Sequence, residues 1–225
     1  MGYTIPSKYK NTLDRAFDTD NVRVENGTAE LTVQDRNGRM TSGSFGTRRA
    51  DILYGSFRAV MKITDEPGTV GAFYFFRDNK HELDIELLSR NKHPWQAYFA
   101  AHPQIYNQDG SASQLTHGKY VLDNDLSSDY HEYRIDWLPN RAEFFVDGQK
   151  AHEFTTNVPD LPGRMLVNHW TDGNPNFSGG PPTKPATLSV KSLTYYFNTE
   201  SDPAPSTNCP PTSCETSGKW YVCCP

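Results

Sequence analysis

Apolar and polar residues alternate with a period of two in several short segments of this chain. Successive side chains of a β-strand point to opposite faces, so this period indicates strands with one buried face. The clearest case is residues 81–88, HELDIELL, where Glu82, Asp84 and Glu86 alternate with apolar residues. The three acids therefore share one face of a predicted strand. Similar segments predict an all-β protein, and they cover residues 22–33, 40–63, 93–106, 130–148, 164–170 and 186–197.

Turn-forming residues divide the alternating segments. Asn26 and Gly27 supply the positive φ angles of a two-residue type I′ turn, which predicts a hairpin over 22–33. A second hairpin is predicted over 130–148, with a turn at its centre. Residues 1–20 carry few periodic signals, and we expect them only to lead into the first strand.

Length and composition limit the class of protein. A chain of 225 residues can bury one sizeable core, and β-sandwiches of this length are commonly single domains. A net charge of −5 without a basic run argues against nucleic acid as a partner. No apolar run is long enough for a membrane span. The 12 Tyr, 12 Phe and 4 Trp suit strands and sugar faces, so we expect a protein that acts on a neutral polymer. We also expect the protein to be a monomer.

The composition changes after residue 198. Residues 199–208 are rich in Pro, Ser and Thr, which is typical of a linker. All four cysteines follow, at positions 209, 214, 223 and 224. Clustered cysteines indicate disulfides in an oxidising compartment, whereas a zinc site would lack its usual paired CxxC spacing. We predict a domain over 1–198, a linker over 199–208 and a cysteine-rich tail over 209–225.

These features also predict a secreted or cell-wall location. The start, MGYTIPSKYK, lacks the apolar core of a signal peptide, so we expect a mature form. N-glycosylation sequons begin at Asn26 and Asn176, so both asparagines are candidate glycosylation sites, although the predicted fold does not require a glycan at either.

The three acids of the predicted strand 81–88 suggest a catalytic site. Same-face neighbours lie only about 7 Å apart, so the carboxylates repel one another and folding alone would not select them. Retaining glycoside hydrolysis needs a carboxylate nucleophile and a protonated carboxyl about 5 to 5.5 Å apart. Glu82 and Glu86 could lean together, with Asp84 sharing a proton between them. A solvated edge strand with accidental acidic alternation is the alternative.

Three ordered motifs together resemble glycoside hydrolase family 16. They are Glu-x-Asp-x-Glu at 82–86, YHEYRIDWLPNRAEFFVDG at 130–148 and MLVNHWTDG at 165–173. The resemblance implies a concanavalin A-like β-jelly-roll sandwich of two curved antiparallel sheets. It also implies that segment 40–63 ends in a strand of the sheet that lines the cleft. The unbulged acid motif is more similar to mixed-linkage β-glucanases and to cell-wall transglycosylases than to laminarinases.

The resemblance implies roles for the acids and for residues around them. Glu82 matches the nucleophile, Asp84 the assisting acid and Glu86 the acid/base. The positions implied for substrate contact are Tyr74, Phe76, Gln96, Tyr98, Asn168 and Trp170, with Phe73 and Phe75 facing the core. Tyr98 and Ala100 stand where licheninases usually carry Asn and Tyr, which leaves the substrate open. Trp170 offers a flat face to a pyranose ring, and a buried core tryptophan is the alternative.

Three histidines, His81, His93 and His102, lie near the acids in sequence. Hydrogen-bonding or surface histidines are commoner than metal triads on strands, so we leave them outside the catalytic set. We predict neither a metal nor a cofactor. The predicted function is a retaining endo-β-glucanase that hydrolyses β-1,3/1,4-linked glucan. The alternatives are a transglycosylase acting on β-glucan, xyloglucan or chitin, and a non-catalytic glucan-binding lectin.

Overall fold

The computed structural model describes residues 2–202, which form an almost entirely β structure with one short 3-10 turn at Thr19–Asn21. The predicted tail and most of the predicted linker lie outside these residues. The strands are β1 (Tyr3–Ile5), β2 (Arg15–Phe17), β3 (Val22–Glu25), β4 (Thr28–Arg36), β5 (Arg39–Thr41), β6 (Gly43–Gly46), β7 (Ile52–Lys62), β8 (Val70–Asp78), β9 (His81–Lys92), β10 (Trp95–His102), β11 (His117–Leu122), β12 (His131–Leu138), β13 (Arg141–Val146), β14 (Gln149–Phe154), β15 (Arg164–Trp170) and β16 (Ala186–Thr199).

Two antiparallel sheets pack face to face. The first has the strand order β11-β10-β9-β8-β15-β6, and the second has the order β14-β13-β12-β7-β16-β4-β3, with β5 paired to β4. Hairpins of consecutive strands are joined to strands that are distant in sequence at the pairs β8-β15, β15-β6, β12-β7, β7-β16 and β16-β4, as a jelly roll requires. The predicted all-β jelly-roll sandwich of antiparallel sheets is confirmed.

The main core fills the space between the two sheets. Phe75 of the first sheet and Trp137 of the second have ring centroids 4.1 Å apart, and neither side chain is exposed to solvent. On β9, Leu83 and Ile85 are fully buried in this core. The apolar face of the acidic strand therefore fixes which way its acids point.

A buried histidine joins the two sheets. His169 of β15 lies 2.8 Å from the carbonyl oxygen of Leu31 on β4 and 2.8 Å from the Thr69 hydroxyl. Burial lowers the pKa of His169 to about 4, so the ring is neutral at ordinary pH. His169 is thus a structural residue of the core.

The predicted strand at the end of segment 40–63 joins the sheet opposite to the one we expected. β7 runs from Ile52 to Lys62 between β12 and β16 of the second sheet. Only the short β6, Gly43–Gly46, belongs to the first sheet. The chain changes sheets between them, and residues with positive φ at Tyr54 and Gly55 mark an irregular start to the long strand.

The hairpin predicted over 22–33 is confirmed, but the chain also forms a hairpin that the sequence pattern missed. Asn26 and Gly27 have φ angles of 51° and 76°, as a type I′ turn requires. Strands β1 and β2 pair with each other near the N-terminus, and we call them the N-terminal hairpin. Each has only three residues, which is too short for a periodic signal.

In the described part of the chain, no helix is long and apolar enough to cross a membrane.

Candidate active site

Strand β9 presents Glu82, Asp84 and Glu86 on the face of the first sheet that points away from the core. We call this surface the acid face. Pairing with β8 is continuous from Val70 to Phe76, and pairing with β10 is continuous opposite residues 82–87. No bulge therefore interrupts the three acids, and all of them keep the same orientation.

The register gives each acid one neighbour on each adjacent strand. These neighbours are Phe76 and His102 beside Glu82, Tyr74 and Ala100 beside Asp84, and Ala72 and Tyr98 beside Glu86. Four of the predicted site residues therefore lie around the acids. Tyr74, Phe76 and Tyr98 are direct neighbours, and Asn168 lies one strand further away, because it pairs with Ala72. The parity predicted for Tyr74 and Phe76 agrees with the structure, because Phe73 and Phe75 are fully buried in the core.

His102, which the sequence analysis left outside the catalytic set, contacts the middle acid. Its Nε2 lies 3.3 Å from Oδ2 of Asp84, and single ligand atoms of Glu82, Asp84 and His102 all lie within 4.8 Å of one another. The position of His102 could have been found only by knowing that β10 pairs with β9 in this register. Asp84 thus contacts both Glu82 and His102, an arrangement that suits a network of shared protons. His81 lies elsewhere, 2.8 Å from Asp78.

Burial raises the pKa of all three acids. Desolvation, followed by the charge of Asp84, raises the pKa of Glu82 to about 9. Desolvation, followed by the charge of Glu82, raises the pKa of Glu86 to about 7. Desolvation and the charge of Glu86 raise the pKa of Asp84 well above its usual value. The cluster therefore keeps protons at neutral pH, which is the property that acid/base catalysis needs.

The order of these pKa values does not by itself match the roles implied for the glutamates. A nucleophile must be ionised, yet the pKa of Glu82 lies above that of Glu86. Asp84 offers a physical solution, because it is close enough to Glu82 to share a proton. In the site without substrate, their hydrogen bond raises the pKa of Glu82 and lowers that of Asp84, which favours the proton on Glu82. Transfer of this proton to Asp84 would leave Glu82 ionised and stabilised by a hydrogen bond.

Tyr74 and Asn168 form one unit beside the acids. The Asn168 side-chain amide donates to the Tyr74 hydroxyl at 3.2 Å, and each residue is only 8% exposed. The Oδ1 atom of Asn168 is buried and has no hydrogen-bond partner among the described residues. The pair lies where substrate contact was predicted, but it is mostly enclosed by protein.

Gln96 and Tyr98 line the opposite side of the acid face. The Tyr98 hydroxyl donates to Oε1 of Gln96 at 2.6 Å and accepts from the Asn91 amide at 3.0 Å. Both residues are partly exposed, and Tyr98 lies directly beside Glu86. These side chains are accessible to a sugar, and their role as substrate contacts stays a prediction.

Trp170 lies on the acid face, but other side chains cover its indole ring. It is 5% exposed, with the Arg15 guanidinium carbon 4.7 Å from its ring centroid and Phe177 stacked on it at 5.9 Å. A pyranose ring could reach the indole only after Arg15 or Phe177 had moved. The alternative of a largely buried tryptophan describes this arrangement better.

Comparison with known proteins identifies the family. The sequence model of Glycosyl hydrolases family 16 matches residues 9–188, which include the acidic strand and most of both sheets. The chain belongs to glycosyl hydrolases family 16. Among family relatives, a beta-glucanase of Acetivibrio thermocellus is 29% identical over 156 residues, or 66% of this chain and 44% of that protein. A beta-glucanase of Bacillus amyloliquefaciens is 31% identical over 123 residues, or 52% of this chain and 47% of that protein.

Solved structures support the same fold. The Bacillus licheniformis beta-glucanase superposes with a TM-score of 0.69 at 22% identity, over 88% of this chain and 92% of that one. The chain covers less than half of the length of the two sequence relatives. The family 16 sandwich is therefore established, and the activity of the whole protein is a proposal.

Proposed function

We propose that this chain is a retaining endo-β-glucanase that hydrolyses glucan with β-1,3 and β-1,4 linkages. The observation that carries the proposal is the unbulged segment 82–86 of β9, which holds Glu82, Asp84 and Glu86 on one face with raised pKa values. Membership of family 16 and the beta-glucanase names of the relatives support it. A pure binding protein has no need for three mutually repelling carboxyl groups.

The mechanism uses the two glutamates in turn. Glu82 attacks the anomeric carbon while Glu86 gives its proton to the departing glycosidic oxygen. Glu86, now ionised, removes a proton from water, and this water cleaves the glycosyl ester on Glu82. For the attack, Asp84 takes the proton that it shares with Glu82, and His102 contacts Asp84. Phe76, Gln96 and Tyr98 are the predicted sugar contacts that remain partly exposed.

The substitution Glu82→Gln tests the role of the nucleophile. We expect turnover of mixed-linkage β-glucan to fall by about three orders of magnitude or more, because no covalent intermediate can form. Binding of the glucan should remain, as measured by affinity electrophoresis. Glu25→Gln, on the exposed strand β3, is the matched control and should keep full activity. Unchanged turnover in Glu82→Gln would refute the assignment.

The reaction products separate the competing functions. Retention predicts that the β-anomer appears first in ¹H NMR spectra, before mutarotation. Mixed-linkage β-glucan, laminarin, xyloglucan and chitin oligomers should be compared in parallel, each with and without added acceptor oligosaccharides. Products longer than the starting chains would show a transglycosylase. Binding without any cleavage would show a lectin. The proposed activity also fits a secreted or cell-wall location, because polymeric glucan lies outside the cell membrane.

A further inference from the structure

The N-terminal hairpin brings a cation onto the acid face. Arg15 and Phe17 are two residues apart on β2, so their side chains point the same way. Phe17 is 5% exposed and packs with Val70, Leu88 and Trp170 in a second apolar cluster. These three residues pair in one row across the acid face, next to the row that contains Glu86. The side chain of Arg15 therefore also faces the acids.

A contact of its side chain and a backbone hydrogen bond of the preceding loop position Arg15. Its guanidinium carbon lies 4.7 Å from the Trp170 ring centroid, a distance typical of a cation–π contact. The backbone N–H of Leu13 donates to the carbonyl oxygen of Asp172 at 2.6 Å, which ties the hairpin to the segment after Trp170. Within residues 2–202 the guanidinium takes part in none of the ion pairs, so no close carboxylate neutralises its charge.

Charges from several elements act on the two glutamates. Arg15 and His102 both lower the pKa of Glu82 and of Glu86, against the effect of burial. Asp172, after β15, raises the pKa of Glu86. Further ionisable groups on this side of the sheet include Tyr3 on β1, Tyr74 on β8, Asp84 and Arg90 on β9, Tyr98 on β10, Arg164 on β15, and His117 and Lys119 on β11.

We propose that Arg15 is a positioning residue, whose charge, held over Trp170 by the N-terminal hairpin, sets the pH range in which Glu82 and Glu86 carry out the reaction. The proposal rests on the glycosidase function proposed above. Arg15 forms no bond to the reacting atoms in this mechanism. It acts through its field on the two carboxyl groups, in a region from which protein excludes most of the water.

The direction of the effect follows from the charge. Loss of a positive charge makes both glutamates harder to ionise. The acidic limb of the pH profile reports ionisation of the nucleophile, and the basic limb reports loss of the proton from the acid/base. Both limbs therefore move to higher pH when the charge of Arg15 is removed.

The test compares Arg15→Met, which keeps an apolar side chain over Trp170, with Arg15→Lys, which keeps the charge. We expect the kcat/KM profile of Arg15→Met to move upward by about 0.5 to 1 pH unit, and that of Arg15→Lys to stay near wild type. Arg39→Met is the control, because Arg39 donates to Thr4 on the hairpin at 2.9 Å and is not among the charges that shift the pKa values of the three acids. It should leave the profile unchanged.

A titration without substrate separates this proposal from the proposed function. In protein with ¹³C-labelled glutamate carboxyls, Arg15→Met should raise the NMR titration midpoints of Glu82 and Glu86 even if no glucan is cleaved. Arg15→Gln replaces Arg15→Met if the latter unfolds, as judged by circular dichroism. Unshifted midpoints in a folded, uncharged variant would overturn the proposal. A profile that moves equally in Arg39→Met would overturn it as well.

Discussion

At the scale of single residues, the acid face combines carboxyl groups that favour the neutral form with neighbouring side chains that oppose this tendency. Burial and mutual repulsion raise the pKa values of Glu82, Asp84 and Glu86. His102 and Arg15 partly offset this effect for the two glutamates. The result is a cluster whose protons redistribute near neutral pH, as a retaining mechanism requires.

The raised pKa of Glu86 predicts a pH-dependent change in stability. Its pKa is about 7 in the folded protein, against an ordinary value of 4.5. The folded protein favours the neutral Glu86 carboxyl. The contribution of this group to the free energy of unfolding is therefore fully present below pH 4.5 and is lost as the pH rises through 7. Glu86→Gln removes this loss. Allowing for partial solvent contact, the substitution should stabilise the protein by about 1–3 kcal/mol more at pH 8 than at pH 4.

Urea unfolding at both pH values measures this difference, and Glu25→Gln on β3 is the control. Glu25 is exposed, so its substitution should change stability by less than about 0.5 kcal/mol at either pH. An equal effect of Glu86→Gln at pH 4 and pH 8 would contradict the raised pKa.

At the scale of elements, one face of β9 packs in the core and the other face carries the acids. Leu83 and Ile85 anchor the strand in the core, and the acids between and beside them face outward. The strand lies between β8 and β10, so backbone hydrogen bonds hold it on both sides. The precision of the site therefore depends on packing on the opposite face of the same strand.

Ile85→Ala tests this dependence. Ile85 is fully buried, so the cavity should cost about 2–5 kcal/mol of unfolding free energy. Arg23→Ala, at an exposed position of β3, should cost less than about 0.5 kcal/mol. Chemical denaturation measures both. A loss in Ile85→Ala no larger than that in Arg23→Ala would show that this face of β9 is not part of the rigid core.

At the scale of the whole molecule, residues 2–202 contain two complete sheets and the core between them. The last strand, β16, pairs with both β4 and β7 and so closes the second sheet. Asp202 then accepts hydrogen bonds from the backbone and hydroxyl of Thr199, which stabilises the end of this strand. Strand β16 ends at Thr199, one residue after the predicted boundary at residue 198, and the division into domain, linker and tail stays a prediction.

Removal of residues 203–225 tests the predicted domain organisation. Because each strand that the structure describes pairs with another described strand, we expect the shortened chain to fold and to change its Tm by less than about 2 °C. Calorimetry and glucan hydrolysis should be compared with the full chain under oxidising and reducing conditions. A fall in Tm well beyond this range would show that the cysteine-rich tail contributes to the stability of the sandwich.

The sequence pattern and the tertiary structure determine different features of this protein. The period of two is a local property of a strand, so the sequence alone determined that the protein is all-β and that Glu82, Asp84 and Glu86 share a face. The contact of His102 with Asp84 and the position of Arg15 over Trp170 depend on pairing between distant segments. So do the sheet that β7 joins and the cover over Trp170. Only the tertiary structure decided these features, because register and burial arise from packing between segments that carry no local signal for each other.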